Sequence, residues 1–287
     1  MANKKTVSII LPAKNESGGL SSTLPLLIHY FPEEEIIVVN DGSTDDTLNI
    51  CKEFGVKVIS HPYSKGNGAA IKTGAKAATG EILVFMDSDG QHRPEDIGRL
   101  LEKLKQGYDM VVGARSSKSQ ASIGRWAANT FYNKLSSWMV GQKIEDLTSG
   151  FRVVYADKFR EFLHILPNKF SYPTTSTMAF FRAGYSVGYE PIVADERVGD
   201  SHIRIFKDGV RFLIIIFKIG TLYSPLKLFG PISLTFFGLG FGHYINTFIT
   251  QGRFTNMSAL LLSVSVIIFL VGLVSEQITQ LLYSEKE

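Results

Sequence analysis

Asp87-Ser88-Asp89 sets two carboxylates two residues apart just beyond an apolar run, with Gln91 and His92 following. Hard divalent cations take oxygen ligands, and Mg²⁺ is typically held by one or two carboxylates together with substrate phosphates. The pattern reads as a clamp for a metal-bridged diphosphate. It reads equally as a helix cap, because Asp89 precedes Arg93-Pro94-Glu95-Asp96, a good helix start. Asp41-Gly-Ser-Thr-Asp45 is likewise double-valued: Ser43 or Thr44 suits an N-cap, while an aspartate there also accepts hydrogen bonds from a base or a ribose hydroxyl. Lys65-Gly66-Asn67-Gly68 opens a helical stretch, where glycines permit close backbone approach and Lys65 brings positive charge for phosphate. No Gly-x-x-x-x-Gly-Lys-[Ser/Thr] string occurs, which excludes a P-loop ATPase. No Gly-x-Gly-x-x-Gly follows the first apolar run, so the dinucleotide fingerprint is missing.

These turns need a scaffold that carries them to one rim. Apolar runs rich in Val and Ile span residues 6–11, 35–40, 56–60, 82–87 and 110–113, with helix-length segments at about 17–29, 44–54, 66–78 and 94–106. Strands alternating with helices imply an α/β fold with a mostly parallel sheet covered on both faces. Ligands of such sheets sit beyond the carboxyl ends of the strands. Segments 12–16, 40–45 and 87–92 each follow a strand and so share that rim. No internal repeat or low-complexity stretch interrupts the pattern.

Of 287 residues, 45% are hydrophobic and 20% charged, with a formal net charge of +3. The apolar fraction excludes disorder as the main state, and the small positive balance does not suggest a nucleic-acid partner. Cys51 is the only cysteine, so there is no disulfide scaffold. The mean hydropathy of +0.09 is high for a soluble enzyme, and its cause is local. Residues 228–252 and 254–275 contain no Asp, Glu, Lys or Arg, and Arg253 alone divides them. About 20 residues at about 1.5 Å each span a bilayer core, so both runs are long enough. Two buried core helices would share the pattern, but charge-free runs this long in a chain charged elsewhere favour transmembrane helices. The expected spans, about 228–250 and 258–280, are joined by a short polar link into an antiparallel hairpin.

Arg197, Arg204, Lys207, Arg211, Lys218 and Lys227 precede the hairpin against Asp200 and Asp208, while its far loop has only Arg253. The positive-inside rule then assigns the large N-terminal part and the C-terminal tail to the cytoplasm. The N-terminal apolar run is too brief for a signal peptide, so nothing is expected to carry that part across a membrane. Within 203–220, Arg204, Lys207, Asp208, Arg211 and Lys218 share one helical face among apolar residues. This pattern predicts an interfacial amphipathic helix, with an ordinary surface helix as the alternative. The expected organisation is a catalytic domain at 1–200, an interfacial region at 201–225 and a membrane pair with a short tail at 226–287.

Taken in order, Pro12-Ala-Lys-Asn-Glu16, Val39-Asn-Asp-Gly-Ser-Thr-Asp45, Ser64-Lys-Gly-Asn67 and Asp87-Ser-Asp-Gly-Gln91 resemble the turns of a family 2 glycosyltransferase with the GT-A, Rossmann-like fold. That part of the resemblance covers residues 6 to about 96. Val112-Gly-Ala-Arg115, Asp146-Leu-Thr-Ser-Gly-Phe-Arg152 and Arg197-Val-Gly-Asp-Ser-His202 are similar to the polyprenyl-phosphate branch, which includes dolichyl-phosphate mannose synthases and undecaprenyl-phosphate sugar transferases. The hairpin fits the two-span subgroup. What the resemblance implies is inverting transfer of a sugar from a nucleotide sugar to dolichyl or undecaprenyl phosphate. A UDP-sugar is the first reading of the donor, and GDP-mannose the alternative.

By the same resemblance, Asp87, Asp89 and Gln91 hold Mg²⁺ or Mn²⁺. Pro12, Ala13, Asn15, Glu16, Asp41, Lys65 and Asp87 form the nucleotide-sugar site. Arg115, Arg125, Asn129 and Arg197 meet the acceptor phosphate, and Asp89, Asp146 and Arg115 take catalytic positions. Asp146-Leu-Thr-Ser reads equally as a capped turn, Arg125 is placed by spacing alone, and His202 stands where relatives often carry Lys. A phosphate monoester is mostly dianionic at pH 7, so cationic positioning matters more than a general base. The implied partners are the nucleotide sugar, the lipid phosphate and the membrane; nucleic acid is not among them, and a homo-oligomer is left open. A processive polysaccharide synthase shares the early motifs, but its Gln-x-x-Arg-Trp signature is absent, since Gln120 lies five residues before Arg125. A non-catalytic scaffold with a degenerate transferase domain has no need for Asp87, Asp89, Gln91 and Lys65 together. The apolar side chains of 126–140 face either lipid or core.

Overall fold

The structure, a computed structural model, describes residues 6–115, 123–169, 172–193, 217 and 220–284, and for 123–129 and 282–284 the backbone alone. Val- and Ile-rich runs, whose branched side chains suit a pleated surface, form β1 (Val7–Ala13), β2 (Glu35–Asn40), β3 (Lys57–Ser60), β4 (Ile82–Phe85) and β5 (Met110–Arg115). The helices between the first five strands are α1 (Ser17–Tyr30), α2 (Thr47–Glu53), α3 (Asn67–Ala77) and α4 (Asp96–Leu104). They are followed by α5 (Ile123–Val140), β6 (Arg152–Tyr155), α6 (Ala156–Glu161), α7 (Tyr172–Arg182) and β7 (Val187–Ile192). Seven strands make one sheet in the order β3-β2-β1-β4-β6-β5-β7. Every neighbouring pair is parallel except those of β6, which runs antiparallel between β4 and β5. Sequence patterning does not single out β6 or β7, since β6 is only four residues long and opens on an arginine.

Alternation along the strands supplies both faces of the sheet. Ile9 and Leu11 join Leu20, Leu24 and Leu27 of α1 and Ile97, Leu100 and Leu104 of α4 in one buried cluster. Ile10 meets α3 on the other face, so closely that a Cβ on Gly74 would lie 2.4 Å from its Cγ2. The carboxyl ends of β1, β2 and β4 then bring segments 12–16, 40–45 and 87–92 to one rim.

The chain divides into two compact units, one within Met1–Trp138 and Gln142–Ile203, the other within Met139–Gly141 and Arg204–Glu287. The second contains α8 (Pro225–Gln251) and α9 (Asn256–Ser284), an antiparallel hairpin. Ser233 Oγ donates to the Ser265 carbonyl at 2.9 Å, and Ser265 Oγ returns the bond to the Ser233 carbonyl at 3.0 Å. A Cβ on Gly240 would lie 2.9 Å from Leu261 Cβ, the close approach that small residues permit between membrane helices. Only 11% and 17% of the most apolar windows of the two helices are buried. Apolar helices left this bare are not core helices; they have the surface of a membrane pair. The expected interfacial helix at 203–220 lies outside the described residues except for residues 217 and 220.

Candidate active site

A cavity of about 690 Å³ opens at the rim. Pro12, Ala13, Lys14 and Glu16 follow β1 into its wall, Asp41 follows β2, and Asp87, Ser88 and Asp89 follow β4. Ser64, Lys65, Gly66, Asn67 and Ala70 close another side, and Lys169 reaches it from the loop before α7. Three lysines and two aspartates of the β4 turn thus face one space, a distribution suited to a diphosphate with a cation beside it.

Asp41 is almost fully buried, and its two oxygens accept four hydrogen bonds from one loop. His61 Nδ1 lies 2.7 Å from Oδ1, which also accepts the Lys65 amide at 2.8 Å. Ser64 Oγ and the Gly66 amide donate to Oδ2, each at 2.8 Å. Burial by itself raises the carboxyl pKa, but these donors outweigh it and hold it down to about 2. Asp41 therefore organises the loop that carries Ser64 and Lys65 while it lines the cavity.

The glycines of this loop approach the chain itself. Gly66 has φ +106°, and Cβ atoms on Gly66 and Gly68 would meet the Asn168 and Pro167 carbonyl oxygens at 2.5 and 2.0 Å. The amides of Gly68 and Ala69 donate to Lys169 O at 3.2 Å and Asn168 O at 2.8 Å, so carbonyls of residues 168–169 satisfy the start of α3. Lys72 Nζ also donates to the Leu166 carbonyl at 3.1 Å. The backbone approach expected at a phosphate is thus made by the chain's own 166–169 segment, and Lys65 and Lys169 supply the charge.

Asp89 does not cap a helix, and in the turn after β2 the first amide of α2 is bonded by Asp45, not by Ser43 or Thr44. α4 starts at Asp96, well past Asp89, whose Oδ1 accepts the Gln91 amide at 3.2 Å. α2 starts at Thr47, and Asp45 Oδ1 accepts its amide at 3.1 Å. Ser43 Oγ instead accepts the Asn15 backbone amide at 3.0 Å, while the Asn15 side-chain Oδ1 accepts the Thr44 amide at 2.8 Å. Asn15 stitches two turns together, and its side chain does not line the cavity. Gln91 lies in the turn after Asp89 and is likewise outside the cavity wall.

Ser88 Oγ donates to the Pro12 carbonyl and ties the ends of β4 and β1 together. Asp87 is hemmed in by Gly150, where a Cβ would lie 2.6 Å from its Oδ2. Its amide donates to Nδ1 of His92 at 3.3 Å, and the buried His92 ring stacks on Phe151 with centroids 5.0 Å apart. Burial pushes the His92 pKa down to about 4 despite the pull of Asp89, so the ring is neutral at pH 7. Among the described residues no group of three His, Cys, Asp or Glu side chains forms a metal cage. Two carboxylates on one cavity wall nevertheless fit a hard divalent cation, whose other ligands come from phosphate and water.

At the end of β5, Arg115 forms a bidentate pair with Asp146: Nε donates to Oδ2 at 2.8 Å and Nη2 to Oδ1 at 3.0 Å. Nη2 also donates to Thr148 Oγ1 at 2.6 Å. The amides of Thr148 and Ser149 donate to Asp146 Oδ1 at 3.1 Å each, so the capped turn is present, and the pairing with Arg115 is added by the tertiary structure. Burial alone raises the Asp146 pKa, but its bonds to Arg115 prevail and lower it; the same pairing raises that of Arg115. The charges of Asp87 and Asp89 also reach Arg115. Arg197 and the side chains of Arg125 and Asn129 lie outside the described residues. Sequence reasoning missed His61, Lys169 and Arg152. His61 has no local motif, Lys169 is far along the chain from the other cavity lysines, and Arg152 stands in the sequence only as the end of the Asp146–Arg152 motif.

The Glycosyl transferase family 2 model matches residues 8–182, and the GtrB C-terminal hairpin model matches 224–281. The chain is 36% identical over 161 residues to a dolichol-phosphate mannosyltransferase of Pyrococcus furiosus, covering 50% of this chain and 45% of that one. It is 30% identical over 214 residues to an undecaprenyl-phosphate mannosyltransferase of Micrococcus luteus, covering 68% and 86%. The chain spans about half the length of the Pyrococcus protein and of a similar curated relative. A crystal structure of glucosyl-3-phosphoglycerate synthase from Mycobacterium tuberculosis, in complex with Mn²⁺, UDP and glucosyl-3-phosphoglycerate, matches with a TM-score of 0.59. Its identity is 21%, over 75% of this chain and 78% of that one, and at that identity the likeness is one of fold.

Proposed function

The chain belongs to glycosyl transferase family 2, among its polyprenyl-phosphate sugar transferases, and from that premise we propose that it moves a sugar from a UDP-sugar to a polyprenyl phosphate with inversion at the anomeric carbon. The observation that carries this reading is one cavity lined by Asp87, Asp89 and three lysines, with the Arg115–Asp146 pair within reach of the same carboxylates' charge.

In this reading the nucleoside lies against Pro12, Ala13, Glu16 and Asp41, and Lys65 faces the diphosphate. Asp87 and Asp89 would hold Mg²⁺ or Mn²⁺; Gln91, which the resemblance adds to them, lies outside the cavity wall. When bound, such an ion stabilises the negative charge that develops on the leaving diphosphate. The acceptor phosphate is already an anion at pH 7 and needs orientation more than deprotonation. Arg115 provides it: among the described residues its bonds to Asp146 and Thr148 use Nε and Nη2, not Nη1. Asp146 is held ionised by its donors, so its part is to aim Arg115 rather than to take up a proton. By the resemblance alone, Arg125, Asn129 and Arg197 would join Arg115 at the acceptor phosphate. The α8–α9 hairpin anchors the protein in the membrane with the catalytic unit on the cytoplasmic side, where the lipid head group is accessible.

The test is transfer from radiolabelled UDP- and GDP-sugars to polyprenyl phosphate in detergent, with and without EDTA. An organic-extractable product from a UDP-sugar that EDTA abolishes is the expected result. Product from GDP-mannose alone would move the donor to the mannosyltransferase reading that the names of two relatives favour. Nucleotide binding without a lipid product from any donor would overturn the acceptor.

A further inference from the structure

Arg152 is fully buried, and among the described residues its hydrogen bonds all end on neutral partners. Nε donates to the Ser149 carbonyl at 2.8 Å and Nη2 to the Leu147 carbonyl at 3.2 Å. Nη1 donates to Ser176 Oγ at 2.9 Å and Thr177 Oγ1 at 2.7 Å, both on α7. A buried cation without a hydrogen-bonded carboxylate is unfavourable unless its surroundings satisfy it, so what it holds explains its place. It holds one turn. The same turn sends the Thr148 and Ser149 amides to Asp146, and Asp146 grips Arg115. Tyr172 of α7 adds a hydrogen bond of 3.1 Å to the Gly150 carbonyl, at the point where Gly150 presses on Asp87.

We propose that Arg152 is a positioning residue: through the carbonyls of Leu147 and Ser149 it fixes the turn that sets Asp146 against Arg115, and thereby the guanidinium that meets the acceptor phosphate. Its catalytic consequence rests on the reading of Arg115 given above; its hold on the turn does not. A core cation that only filled space would, when removed, loosen the whole domain. A positioning residue would loosen the turn and spoil one substrate.

Arg152→Lys, Arg152→Met and Thr177→Val are compared with wild type as full-length protein in detergent. Three readouts are amide hydrogen exchange by mass spectrometry, UDP affinity with Mn²⁺, and KM for each substrate. Expected for Arg152→Met is exchange at 146–149 faster by about tenfold with strand β1 unchanged, and a lipid-phosphate KM raised by about tenfold. UDP affinity and donor KM stay within about twofold, and Arg152→Lys falls between Met and wild type. Should Arg152→Met fail to fold, Thr177→Val removes one Nη1 acceptor at constant volume and is expected to act in the same direction, by about threefold. Exchange at 146–149 that is unchanged, or raised equally in β1, overturns the proposal. Faster exchange confined to 146–149 with an unaltered lipid KM upholds Arg152's hold on the turn and instead overturns the acceptor role of Arg115.

Discussion

Asp41 and Asp89 sit on the same cavity wall but are used in opposite ways. Asp41 is ionised because His61, Lys65, Ser64 and Gly66 surround it, and its pKa of about 2 lies below the ordinary aspartate value. A carboxyl depressed on folding contributes stability that is present above its unfolded pKa and lost as pH falls through the folded one. Asp41→Asn is therefore expected to lower stability at pH 7 by about 2 kcal/mol, and to shrink the fall between about pH 4 and pH 2, read from thermal melts of both proteins. Glu35 and Asp45 shift the same way, so the difference between variant and parent carries the result, not the parent's acid limb. Asp89 belongs to the reaction in our reading. Asp89→Ala should lower transfer at least about 100-fold with a melting temperature close to wild type. Substantial EDTA-sensitive transfer in that variant would sink the metal role.

At the scale of elements, the start of α3 packs against residues 167–169 from the far half of the chain. Gly68→Ala would drive a Cβ into the Pro167 backbone oxygen 2.0 Å away, which only a shift of the segment relieves. The expected outcome is a loss of about 1–3 kcal/mol in stability, together with weaker UDP binding, because Lys169 moves with the segment. Gly98 in α4 is the control. A Cβ there meets nothing within 4 Å, and Gly98→Ala should add about 0.5–1 kcal/mol with UDP affinity unchanged. Equal effects from the two substitutions would show that the close packing at α3 does not matter. The motif Lys65-Gly66-Asn67-Gly68 is visible in sequence, but the partner of its glycines is not, since residue type cannot say whether phosphate or backbone comes near.

At the scale of the whole molecule, charge and hydropathy separate an aqueous catalytic unit from an apolar hairpin. The turn between α8 and α9 carries Arg253, and Cys51 is buried, so Arg253→Cys introduces a single exposed thiol. In intact cells a membrane-impermeant maleimide is expected to label Arg253→Cys from outside. Labelling only after permeabilisation would reverse the orientation drawn from the basic residues before the hairpin.

Periodicity and turn chemistry are local properties, and they were enough to determine the alternating α/β order, the rim shared by residues 12–16, 40–45 and 87–92, and the apolar pair of helices. They were enough as well for Asp87, Asp89 and Lys65, which follow their strands or open their helix directly. Three matters were decided only by tertiary structure. Strand β6 enters the sheet antiparallel between β4 and β5. Lys169 comes to the cavity because carbonyls near it satisfy the amides at the start of α3. Asp146 becomes the partner of Arg115 because a buried carboxylate that meets a guanidinium and the amides of its own turn is held ionised. The physical reason is common to all three: a buried polar group must find its partner, and that partner can lie anywhere along the chain.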